Sequence, residues 1–198
     1  MNNPQSVEIA LGGRKLVLET GRVAGQASGA ILARYGDTVV LATVMLGKER
    51  PELGYFPLTV DYIEKLYAGG RIKGSRWVKR EGRPTDDAIL KGRLIDRSIR
   101  PLFPKDFFRE VQVTVTTLSV DNESDADILG IIAVSTALTI SEIPWNGPVA
   151  AVRLGLLEDK QSLITNPING ESEKSPLDLV VSAKKDANLM EEAGALEV

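Results

Sequence analysis

Hydrophobic and polar residues alternate in short runs along the first 65 residues, which is the pattern of half-buried β-strands. Residues 7–11 alternate between apolar and polar or small side chains, and another apolar run covers residues 16–18. Because Gly12 and Gly13 separate the two runs, the pattern predicts a β-hairpin that turns at these glycines.

A second predicted hairpin joins residues 30–35 to residues 38–44 across Gly36 and Asp37, and glycine suits the first central position of a type II′ turn. Its second strand is apolar on both faces, which predicts a central strand covered on both sides. A further strand over residues 56–62 contains a proline, which is typical of a strand start or a sheet edge.

Helical patterns follow, and the first runs from Pro84 to Pro101 with acidic residues in its opening turn. Its apolar stripe consists of Ala88, Leu94, Ile95 and Ile99. Residues 128–141 are almost all apolar or small, which predicts a second, buried helix. Further strand patterns cover residues 111–115, 149–157, 163–164 and 177–181. A turn is predicted at residues 184–186, and no element is predicted after it. The predicted class is therefore α+β, a mostly antiparallel sheet with packed helices.

The composition is that of a globular chain and excludes several kinds of chemistry. The chain has 198 residues, of which 43% are hydrophobic and 26% are charged, so it can bury a sizeable core. This composition differs from that of disordered proteins and of membrane-spanning proteins. The absence of Cys and His excludes disulfides, thiol catalysis, His-assisted serine catalysis and most zinc sites. The N-terminus lacks the features of a secretory signal, so we expect a cytoplasmic protein without a membrane partner.

The net charge of −3 conceals an uneven distribution. Residues 65–109 contain 13 Lys and Arg against five Asp and Glu, a net charge of +8, so the remaining residues carry −11. Like charges concentrated in this way repel one another, which favours an anionic partner for this segment. The alternative is a solvated surface with no partner.

The loop over residues 69–83 places Trp77 among six basic residues. Single-stranded nucleic acid requires cations for its phosphates and a flat ring for its bases, and such stacking contributes roughly 1–3 kcal/mol per base. The loop therefore favours nucleic-acid binding. Trp77 is equally consistent with a core residue that anchors the loop.

Three arginines on one face of the first predicted helix are a second candidate for anion binding. Arg93, Arg97 and Arg100 stand at i, i+4 and i+7, so their side chains share a face. Their alternative is ion pairing within the helix, because Asp96 lies three or four residues from Arg93 and Arg100.

An acidic turn at residues 121–127 precedes the predicted buried helix. Its alternating oxygen ligands resemble a cation loop, but it lacks the glycine and the bidentate Glu of an EF-hand. We expect instead that Asp125 and Asp127 cap the helix, where carboxylates accept hydrogen bonds from free backbone N–H groups.

Several motifs resemble the first core domain of the bacterial polynucleotide phosphorylase (polyribonucleotide nucleotidyltransferase) family. They are FPLTVDY (56–62), AGGRI (68–72), KREGRP (79–84), RLIDRSIRPLFP (93–104), IPWNGP (143–148) and LDLVV (177–181). The resemblance runs in order along essentially the whole chain, and the arginine-rich motif is its most specific part.

This resemblance implies an RNase PH-like α+β fold, of the ribosomal protein S5 domain 2-like class, and a ring-shaped homotrimer. It implies processive 3′→5′ phosphorolysis of single-stranded RNA to nucleoside diphosphates in mRNA turnover, with inorganic phosphate as co-substrate and Mg²⁺ as cofactor. It also implies partners in an RNA-degradation complex. Residues 1–145 correspond to the first core subdomain, and residues 146–198 to the truncated start of the next.

The resemblance also assigns RNA contacts. In the family, the loop that here contains Trp77, Lys79 and Arg80 lies at a channel constriction and grips RNA, usually with two Phe followed by two Arg. One aromatic is missing here, and one Arg is a Lys, which keeps the charge without the bidentate geometry. Arg83 and Arg100 are further implied contacts. The full predicted set is Trp77, Lys79, Arg80, Arg83, Arg93, Arg97 and Arg100.

Departures from the family indicate that this core is not the catalytic one. The family's second core carries out phosphorolysis, with a Ser-rich phosphate turn before a buried helix and an Asp-x-Lys pair on a strand. The equivalent turn here contains Asp125 and Asp127, which repel phosphate, and Val180 replaces the Lys after Asp178. We therefore assign no catalytic and no metal-binding residue to this chain. Two functions stay open: the N-terminal part of a phosphorolytic exoribonuclease, or a non-catalytic module that threads RNA and forms the ring.

Overall fold

Two β-sheets and two long helices form the fold of the described residues, which are 4–72, 74, 82–157 and 162–195 of the computed structural model. The first sheet has the order β1-β2-β3-β4-β6-β5, with β1 (Gln5–Leu11), β2 (Arg14–Thr20), β3 (Gly29–Tyr35), β4 (Thr38–Glu49), β5 (Leu58–Glu64) and β6 (Arg109–Ser119). The second has the order β10-β9-β7-β8, with β7 (Ala150–Leu156), β8 (Leu163–Thr165), β9 (Leu177–Lys184) and β10 (Ala187–Ala195). The helices are α1 (Asp86–Ile99), α2 (Ala126–Ile140) and the short α3 (Asn169–Ser172). The predicted α+β class is confirmed.

Both predicted hairpins are present, and glycine stands where each one turns. β1 and β2 meet at Gly12 and Gly13, with φ of +54° and +76°, and β3 and β4 meet at Gly36, with φ of +60°. Glycine adopts positive φ without the steric cost that a Cβ imposes. A Cβ at Gly36 would also lie 2.6 Å from the carboxylate of Asp121, so this turn packs closely against the acidic turn.

Helix α2 forms the centre of the core, because it is apolar on all sides and contacts β3, β4, β6, β7 and α1. The side chains of β4 that face it, Thr38, Val40, Ala42 and Val44, are fully buried. The opposite face of β4 is only half-buried, so the expected burial of both faces is wrong for that face. No helix of the described residues combines the length and apolarity needed to span a lipid bilayer.

Strands β5 and β6 pair in parallel, whereas the other pairs of described strands are antiparallel. Parallel neighbours require a long crossover connection, which residues 65–108 supply and which contains α1. β5 lies at the sheet edge and Pro57 directly precedes it, as expected for a strand with a proline. The carbonyl of Pro57 still accepts a hydrogen bond from Val111 N at 3.0 Å.

Strand β10 corrects the expectation that no element follows residues 184–186. It pairs antiparallel with β9, and a register irregularity lies between Asn188 and Met190. Met190 is the one buried side chain of β10, and most of the others are exposed. A strand with a bulge and one buried position lacks the alternation by which strands are recognised from sequence.

Candidate nucleic-acid interface

Helix α1 presents its arginines outward because its other face is fixed against β5 and α2. Thr85 is the N-cap, and its Oγ1 accepts a hydrogen bond from Ala88 N at 3.1 Å. The predicted apolar stripe is buried. Gly92 permits close approach to the sheet, since a Cβ there would lie 3.3 Å from the Val60 carbonyl oxygen. The face of α1 that carries the arginines is therefore exposed to solvent.

The exposed arginines of this region have different surroundings. Arg83, just before α1, and Arg93, in its middle, are exposed and have no ion pair within the described residues. Arg97 is also exposed, with its Nη1 at 3.9 Å from Glu192 Oε2 on β10. A solvent-exposed contact of this length contributes little, so these three cations stay available to an anionic ligand.

Arg100 differs because its guanidinium is held on both sides. It forms hydrogen bonds of 2.7–3.1 Å with the Asp96 carboxylate, and Nη2 donates to the Leu58 carbonyl at 3.2 Å. The guanidinium carbon also lies 5.9 Å from the ring centroid of Phe56. Pairing with Asp96, the alternative raised by the sequence, is therefore present for Arg100, which links α1 to the start of β5.

Trp77, Lys79 and Arg80 lie outside the described residues, so their grip on RNA stays a prediction. The chain approaches this segment from a 3₁₀ turn, Leu66–Gly69, directly after β5. It returns at the start of α1, where Thr85 Oγ1 donates to Glu64 Oε2 at 3.3 Å. The two described ends of the basic loop therefore lie close to each other, next to the end of β5.

A cleft of about 600 Å³ opens beside the two ends of this loop. Its volume is within the range of small-molecule sites. Charges of both signs line it. Its polar lining comprises Tyr62, Glu64, Lys65, Arg71, Thr85, Asp87, Lys91, Thr117, Asn122, Ser124, Asp125, Asp127 and Arg153. Burial raises the pKa of Tyr62 to about 12, and its hydroxyl oxygen accepts a hydrogen bond from Thr117 Oγ1 at 3.2 Å.

Lys91 is committed to two carboxylates in this cleft. Its Nζ lies 2.8 Å from Glu64 Oε1 and 2.5 Å from Asp87 Oδ2. Burial lowers the pKa of this ammonium, but the hydrogen bonds to Asp87 and Glu64 raise it more, so the pKa lies above its usual range. Lys91 therefore balances internal charge rather than offering a cation to a phosphate.

Three carboxylates surround one guanidinium at the N-terminus of α2. Arg153 Nε lies 3.1 Å from Asp125 Oδ2, Nη2 lies 3.3 Å from Asp127 Oδ2, and Nη1 lies 3.5 Å from Asp178 Oδ2. The capping prediction is wrong for Asp125, whose side chain makes no capping hydrogen bond although it stands at the N-cap. Asp127 Oδ1 does accept a hydrogen bond from Ile128 N, at 2.7 Å.

Charge in this carboxylate cluster is unbalanced. Burial and the neighbouring carboxylate of Asp127 raise the pKa of Asp125 to about 6, against the opposing effect of Arg153. The cluster repels phosphate when its carboxylates are ionised. Sequence reasoning missed Arg153, because nothing in its spacing connects it to a turn 26 residues earlier.

The Mg²⁺ implied by the family does not fit this cluster. The Arg153 guanidinium lies within 3.5 Å of one oxygen of each carboxylate, so a cation already stands where a metal ion would have to bind. Over the described ranges, no group of three or more potential ligands is placed to hold a metal ion. We therefore derive no metal chemistry from this part of the protein.

Asp121 fixes the acidic turn next to the cleft. Its carboxylate accepts hydrogen bonds from the backbone N–H groups of Asp37 (3.0 Å), Glu123 (2.8 Å) and Ser124 (2.8 Å), and from Thr38 Oγ1 (2.9 Å). Burial works against ionisation, but these hydrogen bonds outweigh it and lower the pKa of Asp121 to about 2. The turn is thereby tied to the β3–β4 hairpin.

Comparison with solved structures places the fold among known proteins. The chain aligns with rice (Oryza sativa) Rrp46 at a TM-score of 0.72 and 17% identity, covering 92% of this chain and 81% of that one. It aligns with an Archaeoglobus fulgidus exosome structure, described with RNA bound to the active site, at a TM-score of 0.67 and 16% identity, covering 100% and 79%. At these identities the likeness concerns the fold, which is RNase PH-like as expected.

Sequence comparison identifies relatives and a family. The chain is 59% identical to the polyribonucleotide nucleotidyltransferase of Chloroflexus aggregans over 194 residues, 98% of this chain and 25% of the relative. It is 54% identical to that of Thermus thermophilus over 199 residues, 100% of this chain and 28% of the relative. The chain thus spans about a quarter of these relatives' length. Residues 12–144 match "3′ exoribonuclease family, domain 1" and residues 147–198 match domain 2. The chain therefore belongs to the 3′ exoribonuclease family.

Proposed function

We propose that this chain is the non-catalytic RNase PH-like core of a phosphate-dependent 3′→5′ exoribonuclease that degrades single-stranded RNA to nucleoside diphosphates. The carboxylate cluster around Arg153 carries this proposal, because it occupies the N-terminus of α2, where a catalytic core would hold phosphate. The names of the relatives support the activity of the whole protein.

The role of this chain is to hold RNA. Arg83, Arg93 and Arg97 bind phosphates, since they are exposed and at most weakly paired within the described residues. Arg100 positions α1 against β5 and adds a partly balanced charge. Trp77, Lys79 and Arg80 supply stacking and further cations from the loop.

The same proposal includes the assembly, the compartment and the cofactor sites of the protein. The protein forms a ring-shaped homotrimer, associates with other RNA-degrading proteins and works in the cytoplasm; the absence of Cys is consistent with that compartment. The sites for inorganic phosphate and Mg²⁺ lie outside these 198 residues. Residues 1–145 and 146–198 are separate subdomains, which the two sheets support.

One experiment with two arms tests the proposal. In the first, the 198-residue chain and the protein at its natural length are each incubated with poly(A), phosphate and Mg²⁺, after circular dichroism has verified folding. We expect ADP from the natural-length protein alone, because a carboxylate cluster occupies the N-terminus of α2, where a catalytic core would hold phosphate. ADP release by the chain itself would contradict the non-catalytic assignment.

The second arm addresses RNA binding. Trp77→Ala combined with Lys79→Ala, in the natural-length protein, should weaken binding of single-stranded RNA and lower the salt dependence of the binding constant. Unchanged affinity together with an unchanged salt dependence would refute the role of the loop.

A further inference from the structure

Tyr67 is a large aromatic side chain at the surface, with 57% of its area exposed, beside the basic loop. It belongs to the 3₁₀ turn Leu66–Gly69, which directly follows β5. The loop over residues 69–83 contains a single aromatic residue, Trp77. Tyr67 lies two residues before that loop and is an exposed aromatic ring.

The turn that carries Tyr67 is fixed to the body of the protein. Ala68 is buried, and its carbonyl accepts a hydrogen bond from Val120 N at 3.0 Å, at the end of β6. Gly70 N donates to the Tyr67 carbonyl at 3.0 Å, and Arg71 N donates to the Leu66 carbonyl at 3.0 Å. Ala68 takes the inward position, and the Tyr67 side chain is exposed. Tyrosine has few rotatable side-chain torsions, so ordering its ring on a ligand costs little conformational entropy.

The short segment that carries Tyr67 is basic in its own sequence. Residues 65–72 contain Lys65 and Arg71 and no acidic residue. Arg71 is exposed, four positions after Tyr67, and makes no ion pair with the described residues. An exposed ring four positions from such a cation in the chain supplies the two groups by which proteins bind single strands: the ring stacks on a base, and the cation contacts a phosphate.

We propose that Tyr67 is a base-stacking platform for single-stranded RNA, with Arg71 binding an adjoining phosphate. The proposal rests on the RNA-holding role proposed above and adds a contact to it. The bound RNA strand then contacts the 3₁₀ turn as well as the loop. A protein partner is the competing occupant, because Leu66 and Ile72 expose apolar surface nearby.

The test measures binding of a fluorescent single-stranded oligoadenylate to the natural-length protein over a range of salt concentrations. Tyr67→Ala should weaken binding about fivefold to tenfold and leave the salt dependence unchanged, because a ring and no cation is removed. Arg71→Gln should lower the salt dependence. Tyr67→Phe should retain the wild-type affinity, because it keeps the ring.

Tyr55→Ala is the matched control. Tyr55 is 62% exposed and precedes β5, whereas Tyr67 follows it, so a strand of seven residues, roughly 20 Å, separates them. We expect wild-type affinity for this variant. Equal losses from Tyr55→Ala and Tyr67→Ala would overturn the assignment, as would a Tyr67→Phe variant that binds as weakly as Tyr67→Ala.

Two further outcomes separate the hypotheses. If the Trp77 and Lys79 double variant loses affinity while Tyr67→Ala does not, the platform is wrong and the RNA-holding role stands. If neither variant loses affinity, the loop and the platform both fail as RNA contacts, and only the exposed arginines at and before α1 stay candidates for RNA binding. If Tyr67→Ala changes the sedimentation coefficient and leaves affinity unchanged, the ring contacts protein, and the platform is rejected.

Discussion

The basic residues differ most in whether neighbouring carboxylates already balance their charge. Arg83, Arg93 and Arg71 are exposed without ion pairs within the described residues, whereas Lys91 and Arg153 are surrounded by carboxylates. All five look alike in sequence. The partners of Arg153 come from other elements, so only the folded chain separates the exposed cations from those that hold the structure.

Asp125→Asn should stabilise the chain near neutral pH. The pKa of Asp125 is raised from its usual 3.8 to about 6, so the folded state retains a proton that the unfolded state releases between these values. Stability therefore falls as pH rises through this window. We expect the Asn variant to be about 1–2 kcal/mol more stable at about pH 7.5 and equal to wild type at about pH 4, in urea unfolding.

Glu123→Gln serves as the control for this measurement, because Glu123 is an exposed residue of the same turn. It should change stability by less than about 0.5 kcal/mol at either pH. An Asp125→Asn variant that is less stable than wild type at about pH 7.5 would show that the charge of Asp125 is needed by Arg153.

The elements themselves follow from local sequence wherever alternation or an apolar stripe is regular. The hairpins at Gly12 and Gly36, the apolar stripe of α1 and the buried α2 were predictable for that reason. β10 was not, because a bulge and a single buried position remove its alternation. The predicted cap by the Asp125 side chain is absent, and its carboxylate lies beside Arg153, which is distant in sequence.

Packing between elements predicts the outcome of Gly29→Ala. A Cβ at this position of β3 would lie 2.4 Å from the Ala137 carbonyl oxygen of α2. The helix must shift to accept it, which should destabilise the chain by about 3 kcal/mol in urea unfolding. Gly25→Ala is the matched control, since a Cβ there has no neighbour within 4 Å, and it should stay within about 0.5 kcal/mol of wild type. Similar values for both variants would argue against close packing of β3 on α2.

At the scale of the whole molecule, a basic segment is set in an otherwise acidic chain. The resemblance of the motifs to a known family was enough to predict the RNase PH-like fold, and the spacing of the arginines was enough to predict the basic face of α1. They did not reveal the cleft beside the loop or the exposed ring of Tyr67, because both depend on how the 3₁₀ turn packs against β6.

The salt dependence of RNA binding tests whether α1 contacts the RNA backbone. Arg93→Gln should lower the slope of log K against log salt for single-stranded RNA by about 0.7, the value for one phosphate contact on a single strand. Arg22→Gln is the control, because Arg22 lies outside the basic segment and its Nη1 is 3.4 Å from Glu19 Oε2. Equal slopes for the two variants would indicate that α1 does not contact the RNA backbone.

The crossover between β5 and β6 has a consequence for how this protein can be altered. The predicted RNA contacts, Trp77 to Arg100, all lie on that one connection, while both sheets are built from other residues. Closing a longer loop costs little, roughly 0.6 kcal/mol for each doubling of its length. Insertions between Gly74 and Gly82 should therefore lengthen this basic segment without changing the scaffold, so that ligand range can diverge while the architecture is kept.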